Sequence, residues 1–192
     1  MNDVSPIRII GISGSLRSRS SNTHILRAAA SLAPGDMIIT MYEGLGDLPL
    51  FNPDTDGDKP TAQVADLRTR LNAADGVLIC TPEYAGGMPG ALKNALDWIV
   101  SSGELMNKPA AAISASPSLT GGEKALESLR LTLRMLSADV ADDGTVAIPL
   151  VSAKLSAEGE LTDAATVLQL QLVLGALARQ VRELQTREPG SL

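Results

Sequence analysis

The residues of this chain best suited to chemistry crowd into one short stretch, "GISGSLRSRSSNTHIL", Gly11 to Leu26. It offers hydroxyls at Ser13, Ser15, Ser18, Ser20 and Ser21, the amide of Asn22 and the permanent charge of Arg17. Hydroxyls and amides hydrogen-bond phosphate oxygens, and an arginine clamps two such oxygens at once. The stretch follows the apolar run "IRII" and leads into residues spaced like a helix. Such a junction aims the free N–H groups and positive dipole end of the helix at whatever lies above the strand. An anion, phosphate above all, is the expected ligand. A plainer reading is a helix capped by Ser20 or Ser21 behind a solvated loop, although one cap accounts for only one serine. Rival phosphate motifs fail. After Gly11 the dinucleotide fingerprint needs glycines where Ser13 and Leu16 stand, and the P-loop needs a Gly-Lys pair that is missing.

Two further stretches add to the first. In "TPEYAGGMPGALKNALDW", Thr81 to Trp98, Pro82 stiffens the chain, Tyr84 offers a flat face, and Gly86 and Gly87 let backbone approach a ligand closely. A flat conjugated ligand lying there would take hydrogen bonds from N–H groups to its ring carbonyls. A rigid turn with Tyr84 at a surface or interface explains the same residues. "SPSLTGGE", Ser116 to Glu123, again leaves room. Three small-residue loops over one edge fit a planar ligand with a phosphate tail. Other chemistry has little support. His24 is the only histidine and has no identifiable partner, so it reads as a surface or supporting residue. Cys80, the only cysteine, lies in "VLIC" and reads as inert core. It rules out an internal disulfide and a Cys-rich metal site. No side chain is nominated as catalytic and none as a metal ligand.

The elements that must position these loops follow from the apolar pattern. Strands are expected at Ile7–Ile12, Met37–Met41, Gly76–Cys80, Ala110–Ser114 and, more weakly, Val146–Ile148. Helices are expected at Asn22–Leu32, Thr61–Ala73, Gly90–Val100, Lys124–Ser137 and Thr162–Leu184. Runs such as "IRIIGI" and "GVLIC" do not alternate, as expected for strands covered on both faces. Five strand-helix alternations imply right-handed crossovers and a parallel sheet, with ligand-lining loops at the carboxyl ends of strands one, three and four. A long loop rich in Pro, Asp and Gly spans Glu43–Pro60. The 192 residues, 44% hydrophobic and 20% charged, are read as one domain, 1–192, with a sizeable core. A formal charge of −6 argues against nucleic acid or an anionic membrane as partner. The start "MNDVSPIRII" does not read as a signal peptide. The apolar run "AATVLQLQLVLGALA" is too short, and carries two Gln, for a membrane span. A soluble cytoplasmic protein is expected.

Three motifs, "GSLRSRSSN" (Gly14 to Asn22), "PEYAGGMPGALKNALDW" (Pro82 to Trp98) and "GG" followed by "ALESLRLTLRML" (Gly121 to Leu136), resemble the NADPH-dependent FMN reductase family, flavodoxin-like enzymes that include quinone and chromate reductases. The resemblance runs to about Leu150. It implies a flavodoxin-like α/β three-layer sandwich with a five-stranded parallel sheet in the order 2-1-3-4-5. It implies FMN as cofactor, with the phosphate held by Ser15, Arg17, Ser20 and Asn22. Pro82, Glu83, Tyr84 and Ala85 would line the isoalloxazine, with Ser116 on its other side. Many members have Asn where this chain has Ala85, and bulkier residues at Gly86 and Gly87; a backbone contact survives those changes. Hydride would pass from NADPH or NADH to FMN, and two electrons onward to a quinone, free flavin or similar small oxidant. The resemblance also implies a homodimer or homotetramer with the flavin near subunit contacts and Arg130 facing a neighbour. The alternative is a flavodoxin-type electron carrier without turnover of its own. Such carriers pack aromatic rings on the flavin, whereas aromatic residues are 2% here and the third loop has none. A flavin-free regulatory protein is a third reading.

Overall fold

Strands form at all five expected places, and the central ones are apolar without alternation because both faces of the sheet are covered there. The strands are β1 (Ile7–Ser13), β2 (Met37–Tyr42), β3 (Gly76–Thr81), β4 (Pro109–Ala115) and β5 (Asp139–Ile148). All pairings are parallel, in the order β2-β1-β3-β4-β5. The computed structural model describes residues 6–57 and 59–186. The ends of the expected 1–192 domain, including all of the "MNDVS" start, and Asp58 of the long loop lie outside the described residues. The helices are α1 (Ser21–Ser31), α2 (Ala62–Ala73), α3 (Gly90–Asp97), α4 (Glu123–Met135) and α5 (Ala164–Thr186).

Side chains alternate across each strand, and the two faces build separate cores. Ile10, Ile12, Val77, Ile79, Ala110 and Ala112 meet α2, α3 and α4. Ile9, Leu78, Cys80, Ala111 and Ile113 meet α1 and α5. All seven residues of β4, "PAAAISA", are buried, and their small side chains let both helical layers approach. Strand order reverses between β1 and β3, so the loops that leave them diverge and open a crevice there. Of the helices, α5 alone among the described residues is long and apolar enough to cross a membrane by length and composition. Its face of Leu170, Val173, Leu174, Leu177, Ala178 and Val181 is buried in the core.

Two expected elements differ from the pattern. The last strand starts at Asp139, not near Val146, because Ala110 pairs with Val140 while Ala112 pairs with Thr145. The extra residues, the polar "ADDG", bulge from the ladder and hide the strand's first half from an apolar scan. Helix α3 stops at Asp97 instead of Val100, where Arg68 donates from Nε (3.2 Å) and Nη2 (2.6 Å) to the Trp98 carbonyl. The same guanidinium pairs with Asp56 at 2.6 Å, which ties the long 43–60 loop to the end of α3. Further up, Asn94 accepts from the Phe51 N–H (2.7 Å) and donates to the Pro49 carbonyl (2.9 Å), to which Trp98 Nε1 also donates (2.8 Å). The long loop is therefore held along its length.

The start of α5 is fastened by Asp163, which accepts from the Thr166 hydroxyl (2.6 Å) and N–H (2.9 Å) and from Lys154 Nζ (3.1 Å). The Thr166 hydroxyl bond above all lowers the Asp163 carboxyl to about 2. A depressed carboxyl contributes stability above its unfolded value, about 3.9, and loses it as pH falls through the folded one. Asp163→Ala is expected to lower the melting temperature at pH 7. The deficit against the unchanged protein should close as pH falls across that window; a constant deficit in melting scans would contradict it.

Candidate functional site

Loops leaving β1, β3, β4 and β5 converge on a cavity of about 220 Å³ at the carboxyl edge of the sheet. From the first loop and the start of α1 come Ser15, Arg17, Ser20, Ser21 and Asn22; from the second, Pro82, Glu83 and Tyr84; from the third, Ser116. Ser13 and Ser18 are not part of it. Ser13 shares a hydrogen bond with Thr23 (2.8 Å), and Ser18 is exposed. His24 is also outside. Its ring packs so closely on Gly159 that a Cβ at that glycine would collide with it.

The first loop shows what a helix end leaves open to an anion. Burial of Ile25 and Leu26 contributes about 3–6 kcal/mol together and fixes where α1 lies. The Ser20 hydroxyl, accepting from the Thr23 N–H at 3.4 Å, sets where it starts, at about 1 kcal/mol. The capping reading and the anion reading are thus compatible: one N–H is satisfied by Ser20, while those of Ser21 and Asn22 meet no partner among the described residues. The Asn22 side chain is buried and engaged. Nδ2 donates to the Ala115 carbonyl (3.0 Å) and Oδ1 accepts from Cys80 Sγ (3.3 Å). Its backbone N–H, rather than its amide, is what remains for a ligand. Burial pushes the Cys80 thiol up, which keeps it protonated and a donor in that bond. Arg17 is exposed and has no ion pair among the described residues.

In the second loop Tyr84 and Gly87 exchange backbone bonds (2.9 and 3.1 Å) around Ala85 (φ 50°) and Gly86 (φ 74°). Two positive φ values in a two-residue turn define type I′, for which Asn-Gly is the preferred pair. Ala85 therefore sits where Asn is favoured, at the tip of the turn and outside the cavity lining, while Tyr84 is half-exposed beside it. The Glu83 carboxylate accepts from the N–H groups of Lys124 and Ala125 (3.0 and 3.2 Å), so the second loop caps α4.

The third loop needs its glycine pair. At Gly121 (φ 65°) a Cβ would lie 2.7 Å from the Pro149 nitrogen and 2.8 Å from the Ile148 carbonyl carbon. Ser116 is held by the loop after β5: its N–H donates to Ile148 (3.2 Å) and its carbonyl accepts from Val151 (3.1 Å). Val151, with Ala115 and Pro117, lines the cavity unforeseen from sequence. The "IPLV" stretch resembles ordinary core, and only the left-handed Leu150 (φ 52°) marks a turn there.

The donor set fits a phosphorylated flavin: two unpartnered N–H groups, serine hydroxyls and one arginine at one end, and a half-exposed aromatic beside glycine backbone at the other. The Ala85–Gly86 turn yields a stability prediction. Left-handed backbone at a residue with a Cβ costs about 1–2 kcal/mol, and Asn bears it better. Ala85→Asn is expected to raise unfolding free energy by about 1 kcal/mol in urea titrations; a loss would contradict the turn geometry.

Comparison with known proteins agrees with this geometry. Residues 7–153 match the family model for NADPH-dependent FMN reductase. The chain is 36% identical to the NAD(P)H-dependent FMN reductase PA1204 of Pseudomonas aeruginosa, over 93% of this chain and 97% of that one. It is 34% identical to a 2-hydroxy-1,4-benzoquinone reductase of a Burkholderia species, over 92% and 97%. Among solved structures, FerB, a flavoenzyme NAD(P)H:(acceptor) oxidoreductase from Paracoccus denitrificans, superposes with a TM-score of 0.83 at 30% identity, covering 92% of this chain and 98% of that one. With the sheet order, the converging loops and these matches together, the chain belongs to the NADPH-dependent FMN reductase family.

Proposed function

We propose that the cavity takes the phosphate end of FMN, that its rim carries the ring, and that NAD(P)H and a quinone or similar small oxidant use the exposed edge in turn. The observation that carries this reading is the meeting of Arg17, the Ser15 and Ser20 hydroxyls and the open N–H groups of Ser21 and Asn22 in one cavity. Its volume, about 220 Å³, is below the 300–1,000 Å³ or so of pockets that enclose a whole ligand. The ring accordingly lies across Pro82–Ala85 with Ser116 on its other side.

FMN, when bound, supplies the hydride-accepting and two-electron chemistry. The chain's own work is binding and orientation. Arg17 and the end of α1 neutralise the phosphate. The Tyr84–Gly87 turn offers a rigid platform with little side chain at Gly86 and Gly87, which leaves access for a nicotinamide. Tyr84 is the one aromatic lining the cavity among the described residues, which suits exchange with diffusing substrates better than the shielded flavin of an electron carrier. In this reading the protein works in the cytoplasm as a homodimer or homotetramer, Arg130 facing a neighbour, without nucleic acid or membrane as partner.

The test is spectroscopic. The purified protein, or the protein given FMN, should show bound-flavin absorption, bleach on anaerobic mixing with NADPH and recover on adding a quinone. Flavin that stays oxidised under excess NADPH and NADH would defeat the reading. Arg17→Ala removes a charged clamp worth about 1.5–3 kcal/mol, so FMN titration should show roughly a ten- to hundredfold loss of affinity.

A further inference from the structure

We propose that Glu83 holds the potential of bound FMN low by placing its carboxylate on the amino end of α4. This rests on the reading that FMN occupies the cavity, which Glu83 helps to line.

Helix α4 begins beside the second and third loops, and its own sequence supplies no cap. The residue before it, Gly122, has no side chain and stands at φ 86°. The nearby hydroxyls of Ser118 and Thr120 bond each other (3.1 Å). The cap comes instead from 41 residues upstream: Glu83 Oε2 accepts from both the Lys124 and Ala125 N–H groups. Gly122 favours this arrangement through its left-handed backbone, which a residue with a Cβ adopts at a cost, and it stands close by, with 3.5 Å between the place of a Cβ and Glu83 Cβ.

The electrostatic result differs from that of an ordinary Ser or Asn cap. A bare helix end carries roughly half a positive charge, which would favour the more negative, reduced form of a neighbouring cofactor. A neutral cap would leave most of that charge in place. A full carboxylate outweighs it and leaves roughly half a negative charge at the same spot. Reduced FMN is then disfavoured relative to oxidised FMN, and it passes its electrons on more readily. Glu83 is in this sense a positioning residue for α4 and a tuning residue for the cofactor.

Glu83→Gln separates the two roles. The amide oxygen can still accept both N–H bonds, so the melting temperature of the flavin-free protein should stay near that of the unchanged protein, but the charge is gone. In the FMN-loaded protein the preference for reduced over oxidised FMN should rise about tenfold, an upward shift of about 30 mV for a two-electron couple, read by equilibration with reference dyes. Glu83→Asp keeps the charge but shortens the reach, so its melting temperature should fall while its potential stays near the unchanged value. FMN bound at an unaltered or lower potential in Glu83→Gln would overturn the proposal and leave the FMN site intact. Should that variant not fold, a raised potential in Glu83→Asp would overturn it equally. Failure of the unchanged protein to bind FMN would instead remove the reading beneath it.

Discussion

The buried amide of Asn22 is the tie on which the site depends. It joins the first turn of α1 to the Ala115 carbonyl, 93 residues away, and to the Cys80 thiol, 58 residues away. The start of the helix is thereby fastened over the ends of β3 and β4. The Ala115 carbonyl is buried, so loss of the amide would cost about 1–3 kcal/mol there, while the thiol, a weak donor, would lose little. This fastening determines which helix N–H groups open onto the cavity and which are used internally. Everything contributed by the later loops, including Ser116 beside Ala115, is placed relative to it.

Much of the architecture was legible because burial on both faces of a parallel sheet leaves a plain trace in sequence. "IRIIGI" and "GVLIC" are apolar on successive residues, and helices begin where periodicity changes. The half of β5 before Val146 was not legible, since a polar bulge carries no apolar pattern and its pairing is determined by β4. Nor was the end of α3, where a distant arginine competes for the carbonyl of Trp98.

At the site, the gathering of Ser15, Arg17, Ser20, Ser21 and Asn22 on one cavity was legible, because they stand together at a strand-helix junction that the apolar pattern marks. What each side chain does there was not readable. Asn22 turns its amide inward, Glu83 reaches α4, and Ser13 pairs with Thr23. Each outcome depends on a partner between 10 and 93 residues away, and hydrogen-bond direction cannot be inferred from residue type. The motif "KNALDW" is a similar case: Asn94 and Trp98 look like helix filler but hold Pro49 and Phe51.

That last fastening has a consequence for the surface. The 43–60 loop is held by Asn94, Trp98 and Arg68 while Leu50 projects from it almost fully exposed. A segment anchored in this way holds its exposed side chain in one place. Because Asn94 and Trp98 grip the carbonyl of Pro49 and Asn94 the N–H of Phe51, the leucine between them is presented outward by its neighbours, and a substitution in α3 would be felt first at Leu50.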